Sequence, residues 1–101
     1  MNQLDGNPLI LDTANVGVLT ARALSVSVVK WICPNDVIVI GQVVQLLDAS
    51  GKEKWSGVAT GVCHVDVLRF DGAPQSWQGL ELRLFPGPGG GSNLGKVYIY
   101  A

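Results

Sequence analysis

The side chains best suited to metal chemistry are few, and they are Cys33, Asp36, Cys63, His64 and Asp66. Cys63 and His64 are adjacent, so in a strand they point to opposite faces and cannot easily share one ion. His64 and Asp66 do share a face, but the standard zinc spacing of two cysteines separated by two residues is missing. We therefore predict no metal ion and no other cofactor, with His64 hydrogen-bonded to a neighbour such as Asp66.

The residues needed for catalysis are equally sparse. The chain has one histidine and no Gly-x-Ser-x-Gly turn, so a Ser–His–carboxylate arrangement would need a remote assembly of its parts. A glycosidase needs two facing carboxylates, and Glu53 and Glu81 are the only glutamates. The glycine-rich stretch 87–91 lacks the Lys-Ser/Thr pair and the helix of a phosphate-binding loop. The sequence predicts a protein that is not an enzyme.

The two cysteines, Cys33 and Cys63, allow one intramolecular bridge. Residues 1–7 have neither the basic nor the apolar part of a secretion signal, which predicts synthesis in the cytoplasm and reduced thiols. Both cysteines adjoin apolar strand residues, and this favours burial in the core.

The composition predicts one small domain whose surface is partly covered. The chain has 101 residues, and 15% of them are charged, against about 25% in an ordinary globular domain. The alternative is a surface rich in uncharged polar residues. The net charge is −1 without a block of lysine or arginine, which argues against nucleic acid as a partner. No apolar run approaches the roughly 20 residues that span a bilayer, which argues against a membrane.

Apolar and polar residues alternate with a period of two along most of the chain, the pattern of half-buried β-strands. No window shows a convincing helical period, so helix beyond a single turn is not expected. The predicted fold is all-β, an antiparallel β-sandwich or jelly roll of about six to eight short strands. Strands are expected near 23–32, 37–40, 43–47, 53–58, 61–70, 80–84 and 96–100. Before residue 23, the stretches 8–12 and 15–20 are candidate strands.

Interruptions of the alternation predict how these strands connect. At Val28-Val29 the phase shifts by one residue, as in a β-bulge or in a strand that moves from one sheet to the other. Residues 48–51 predict a turn with a left-handed Gly51. The Pro/Gly-rich stretch 86–95 predicts a flexible loop between two antiparallel neighbours. Residues 1–7 are predicted to form an extended arm, followed by a single domain over 8–101.

The aromatic residues allow two interpretations. Trp31, Trp55 and Trp77 are spread along the chain, which favours core packing over an exposed row that binds carbohydrate. Tyr98 and Tyr100 lie on the face of the last strand opposite its aliphatic residues. A second sheet covers this face, or the tyrosines project where a partner buries them.

Five segments carry a family resemblance, and they are 7–13, 26–31, 48–55, 77–82 and 95–100. On these segments the sequence resembles the small structural proteins of tailed bacteriophages, which have roughly 100 residues. The resemblance covers most of the chain, and its motifs are structural signatures of β-strands. The stretch 86–91 is longer than the tight connection expected in that family.

The resemblance implies a virion protein, most simply a capsid cement or decoration protein that binds the outer capsid surface and bridges capsomers. Its partners would be the major capsid protein and further copies of itself, as a trimer on the capsid surface. Alternatives are a tail or neck component, and a carbohydrate-binding module for host attachment that uses an exposed Trp55 or Trp77. An unpaired strand at a sheet edge would suit docking. The candidate interface residues are Asn2, Gln3, Leu4, Tyr98 and Tyr100.

Overall fold

The computed structural model describes residues 2–33, 39–59, 65–88 and 93–101. No helix within these ranges is long and apolar enough to cross a membrane. The described residues form eight strands: β1 (Leu9–Leu11), β2 (Val18–Val26), β3 (Val28–Ile32), β4 (Val43–Leu47), β5 (Glu53–Val58), β6 (Val65–Arg69), β7 (Gln75–Phe85) and β8 (Lys96–Tyr100).

The strands form two antiparallel sheets of four. The first sheet has the order β1-β8-β3-β6, and the second has the order β2-β7-β4-β5. The first strand therefore pairs with the last, the second with the seventh, the third with the sixth and the fourth with the fifth. A long hairpin rolled up into two sheets has this connectivity, which is that of a jelly roll. The prediction of an all-β sandwich is confirmed.

The core lies between the two sheets and is built from alternate residues of each strand. The largest fully buried side chains are those of Trp31 and Trp77, one in each sheet. Aliphatic residues of both sheets fill the space around them, and the residues at 0% exposure include Leu11, Val26, Val29, Val44, Leu46, Leu80, Leu82 and Val97. The outward positions of the same strands hold polar side chains together with exposed apolar ones, among them Val65, Val67 and Phe85.

The phase shift near Val28 marks a change of sheet. Strand β2 ends at Val26 in the second sheet, Ser27 forms a bend, and β3 begins at Val28 in the first sheet. Val26 and Val29 are both fully buried, so the extra residue keeps both strands facing the core. Of the two readings of this shift, the strand that moves between sheets is the observed one.

A second phase shift lies in β7, which extends well before the predicted 80–84. Trp77 and Leu80 are both buried, so the inward positions change from odd to even between them. Gly79 lies at this point with φ +90°, and the pairing of β2 with β7 is irregular between Thr20 and Ala23. Ala21 and Arg22 of β2 therefore both lie opposite Gly79 in a β-bulge, and glycine adopts the observed backbone conformation without a steric penalty.

Three predicted features need correction. Residues 86–95 were expected to connect antiparallel neighbours, but β7 and β8 lie in different sheets, because β8 pairs with β1 and β3. A strand was expected over 37–40, but Val39 and Ile40 form a turn. Residues 37–38 and 89–92 lie outside the described residues. The strand expected over 15–20 begins only at Val18, because Asn15 turns the chain with φ 62°.

Candidate functional site

Of the five residues considered as metal ligands, the structure describes Cys33 and Asp66. Cys33 is buried directly after β3, and Asp66 lies on the inward side of β6, opposite Trp31. Asp36, Cys63 and His64 lie outside the described residues. Within the described ranges, no group of three histidine, cysteine, aspartate or glutamate side chains is placed to hold an ion.

The two glutamates lie on the outer side of the second sheet, and both have partners. Glu53 and Glu81 pair with Leu47 from opposite sides, one on β5 and one on β7. Glu53 accepts a hydrogen bond of 3.0 Å from the side-chain amide of Gln45. Glu81 forms an ion pair of 2.6 Å with the Nε of Arg83. These carboxylates are thus held by neighbouring side chains on the sheet surface.

The three tryptophans form no exposed aromatic row. Trp31 and Trp77 are 1% and 0% exposed, so neither ring is accessible to a sugar. Trp55 is partly buried and packs edge-to-face on Trp31, with 6.0 Å between the ring centroids. Phe70 packs in the same way on Trp77, at 6.5 Å. The preference for core packing is confirmed for Trp31 and Trp77, and the suggestion that Trp77 is exposed is wrong.

The first candidate interface residues lie against their own domain. The Asn2 side chain accepts hydrogen bonds from the backbone N–H groups of Asp12 and Thr13, both at 2.9 Å. Gln3 forms a two-way backbone bridge with Ile10, which extends the edge of β1. Leu4 packs against the core, and its carbonyl oxygen accepts a hydrogen bond from Arg22.

Tyr98 and Tyr100 project from the outer side of the first sheet, away from the second sheet. The inward residues of β8, Val97 and Ile99, are buried, while both tyrosines are partly exposed. The second sheet therefore does not cover the tyrosines, which decides between the two alternatives left open for this strand. The interface hypothesis for them stays a prediction.

Strand pairing places a set of cations and apolar side chains beside the tyrosines. We call this outer surface the tyrosine face. In register, Tyr98 lies between Ile10 and Lys30, and Lys30 lies beside Val67. The next row holds Tyr100, Val28 and Arg69. The complete set of outward positions is Ile10, Val28, Lys30, Ile32, Val65, Val67, Arg69, Lys96, Tyr98 and Tyr100.

The tyrosine face has an unusual charge distribution. It carries Lys30, Arg69 and Lys96, while the acidic residue of these four strands, Asp66, is on the inward side. In the described part of the chain, the side chains of these three cations have no hydrogen-bond or ion-pair partner. The outward side of this sheet is thus positively charged, and no carboxylate on the same side of these described strands neutralises it.

A shallow groove of about 440 Å³ crosses this face along β6. It is lined by Val28, Lys30, Val65, Val67, Arg69 and Tyr100. Val65 and Val67 are 48% and 43% exposed, so β6 presents two valines to solvent on this face. Sequence reasoning missed these residues beside the tyrosines. The alternation shows which residues share a side of one strand, but not which strands are neighbours.

The architecture defines an eight-stranded jelly-roll domain with an exposed aromatic and cationic sheet face. Comparisons of the chain with protein-family models, with curated proteins and with solved structures gave no match. The candidate site therefore rests on the geometry of the tyrosine face.

Proposed function

We propose that this protein is an assembly module that docks through the tyrosine face onto another protein. The observation that carries the proposal is the set of side chains on that face, where Tyr98 and Tyr100 stand beside unpaired cations and exposed valines. Tyrosine and arginine are enriched at protein interfaces, because each combines apolar area with hydrogen-bonding groups. Few monomers leave large apolar patches open to water.

The resemblance to phage structural proteins suggests the surface on which the module docks. We propose a decoration protein on the capsid of a tailed bacteriophage, self-associated as a trimer and bound to the major capsid protein. Jelly rolls occur among viral capsid domains, which is compatible with this role but is an analogy of fold. The low content of charged residues supports a domain that works partly covered.

The first experiment measures assembly and uses matched aromatic variants. Tyr98→Ala and Tyr100→Ala remove rings from the tyrosine face, whereas Phe85→Ala removes a 48%-exposed ring from the opposite sheet. Sedimentation velocity reports self-association, and co-sedimentation with empty capsids of a phage whose structural genes include this chain reports docking. We expect the tyrosine variants to weaken assembly by about tenfold, and Phe85→Ala to leave it nearly unchanged.

Two outcomes would contradict the proposal. One is a wild-type chain that stays monomeric and does not sediment with capsids. The other is assembly that tolerates loss of both tyrosines but not of Phe85. Imaging of labelled chains on intact particles distinguishes a location on the capsid from one on the tail. A decoration protein covers the shell, whereas a neck protein forms one ring.

A further inference from the structure

The exposed valines of the tyrosine face belong to a strand with an open edge. Strand β6 pairs with β3 on one side, and no described residue pairs with its other side. The backbone N–H of Phe70 donates to the carbonyl oxygen of Ser27, which makes these two residues a hydrogen-bonded pair of the ladder. Hydrogen-bonded and non-hydrogen-bonded pairs alternate along an antiparallel ladder.

This alternation determines where the backbone groups of β6 point. Asp66 and Leu68 exchange hydrogen bonds with β3, so the N–H and C=O groups of Val65, Val67 and Arg69 point to the open edge. The side chains of these same three residues stand on the tyrosine face. A strand added at this edge would thus meet free backbone groups and, on one face, two valines and an arginine.

The charge at this edge selects the composition of an added strand. Arg69 on β6 and Lys30 on the neighbouring strand β3 both line the groove, and within the described ranges neither side chain has a partner. A strand with carboxylates on the same face would pair with them, whereas a basic strand would be repelled. Apolar side chains between the carboxylates would cover Val65 and Val67.

We propose that the open edge of β6 binds an extended acidic segment of a partner protein, which adds to the first sheet as a fifth strand. This inference rests on the proposed function in taking the partner to be a protein, and it identifies the part of the tyrosine face that makes the contact. The overall net charge of −1 disfavours a nucleic acid as the occupant, since phosphate binding needs a broadly positive surface.

The experiment titrates the labelled full-length chain with a synthetic peptide and follows its backbone amide resonances. The peptide has about eight residues, the length of an ordinary strand, and blocked ends. Glutamate and valine take turns at every second position, so that both lie on the same face, and threonine fills the positions between them. The same peptide with lysine in place of glutamate and an oligothymidylate of equal negative charge are the comparison ligands. We expect the glutamate peptide to change the amide chemical shifts, with the changes concentrated in β6 and β3. The two comparison ligands should not produce these changes.

Variants separate the contribution of charge from that of the backbone. Arg69→Glu is expected to weaken the affinity for the glutamate peptide by about tenfold, and Lys30→Glu by a similar factor. Lys52→Glu, in the turn between β4 and β5, is the matched control and should leave the affinity nearly unchanged. Val67→Pro removes a backbone N–H that points to the open edge, so it should abolish peptide binding. An edge strand tolerates proline at such a position, so the fold should be retained. Val67→Thr keeps that N–H and should bind.

The outcomes distinguish this inference from the proposed function. Binding that survives Arg69→Glu and Lys30→Glu, equal binding of the lysine peptide, or preferential binding of the oligonucleotide overturns the acidic strand. If the tyrosine variants abolish assembly while the glutamate peptide leaves β6 unshifted, the strand addition is wrong and the docking proposal stands. If the peptide binds at β6 but the chain never assembles, the docking proposal fails and the acidic-strand site is supported.

Discussion

The side-chain amide of Asn15 forms both hydrogen bonds that a paired strand residue would form with the backbone of Leu84. Its Nδ2 donates to the carbonyl oxygen of Leu84, and its Oδ1 accepts from the Leu84 N–H, both at 3.0 Å. Asn15 itself has φ 62°, where the chain turns before β2. One side chain therefore continues the ladder along β7 where the backbone of β2 has turned away.

Asn15→Ala is expected to lower the free energy of unfolding by about 1–3 kcal/mol, because both groups of Leu84 lose their partner. Alanine at φ 62° adds backbone strain, whereas glycine adopts this angle freely. Asn15→Gly should therefore be less damaging than Asn15→Ala, and urea denaturation measures both. Equal stability of Asn15→Ala and the wild type would contradict the role of this amide.

Gly79→Ala is expected to be among the most destabilising single substitutions in the chain. A Cβ at Gly79 would overlap the methyl group of Ala49 and lie 2.8 Å from the carbonyl oxygen of Thr20. Gly72 has a similar φ of +100°, but a Cβ there meets nothing within 4 Å. Gly72→Ala thus measures the cost of the backbone angle alone, about 1–2 kcal/mol. Thermal unfolding should show a clearly larger loss for Gly79→Ala, and equal losses would contradict the clash.

Gly57 provides the space that the ring of Trp31 occupies. A Cβ on Gly57 would lie 2.9 Å from two ring carbons of Trp31, which is shorter than real contacts of this kind. The indole N–H of Trp31 is held at 2.6 Å by the carbonyl oxygen of Leu94, so the ring is not free to shift.

We therefore expect Gly57→Ala to destabilise the chain by about 1–3 kcal/mol through overpacking. Ser56→Ala, on the exposed side of the same strand, should change the stability by less than about 0.5 kcal/mol. In a double-mutant cycle, Trp31→Leu should remove most of the penalty of Gly57→Ala. Additive losses in that cycle would show that the two residues do not compete for this space.

Asp48 organises the turn between β4 and β5 through its carboxylate. Its Oδ1 accepts hydrogen bonds from the hydroxyl group of Ser50 at 2.6 Å and from the backbone N–H of Lys52 at 3.0 Å. These hydrogen bonds, the Ser50 hydroxyl first, lower the pKa of Asp48, and Lys54 at 3.8 Å lowers it further. A carboxyl group with a lowered pKa stabilises the folded state above its unfolded pKa of about 3.9.

That stabilisation is lost as the pH falls through the lowered pKa of the folded state. Asp48→Asn is therefore expected to reduce the melting temperature at neutral pH and to have a smaller effect below about pH 3. Asp5→Asn, at an exposed position, is the control. Melting temperatures of the three proteins across the acid range test this, and a constant difference between Asp48→Asn and wild type at every pH would contradict it.

The strand content was predictable because alternation is a local property of the chain. The inward leucines of β7 and the turn at 48–51 with its left-handed Gly51 were found from spacing alone. The bulge at Gly79 was missed because the phase shift lies between Trp77 and Leu80, and a single glycine between them resembles an ordinary interruption. Alternation is local and does not show which sheet a strand joins, so residues 86–95 resembled a hairpin loop.

The candidate site was predictable only in part, and its two halves show why. Tyr98 and Tyr100 were singled out because they share one side of β8. Lys30 and Arg69 were not, because they lie on β3 and β6, and no local pattern indicates that these strands are neighbours of each other and of β8. The placement of Trp77 in the core followed from the preference for aromatic burial, and the structure confirms it.

The amino-acid sequence by itself determined the all-β class, the inward side of most strands and the shift of phase at Val28. These depend on the polarity of residues one or two positions apart. Only the tertiary structure decided that β1 pairs with β8, that Ser27 carries the chain between sheets, and that Lys30 lies between Tyr98 and Val67. Those relationships join residues far apart in the chain. They depend on how the strands assemble into two sheets that bury their apolar sides against each other.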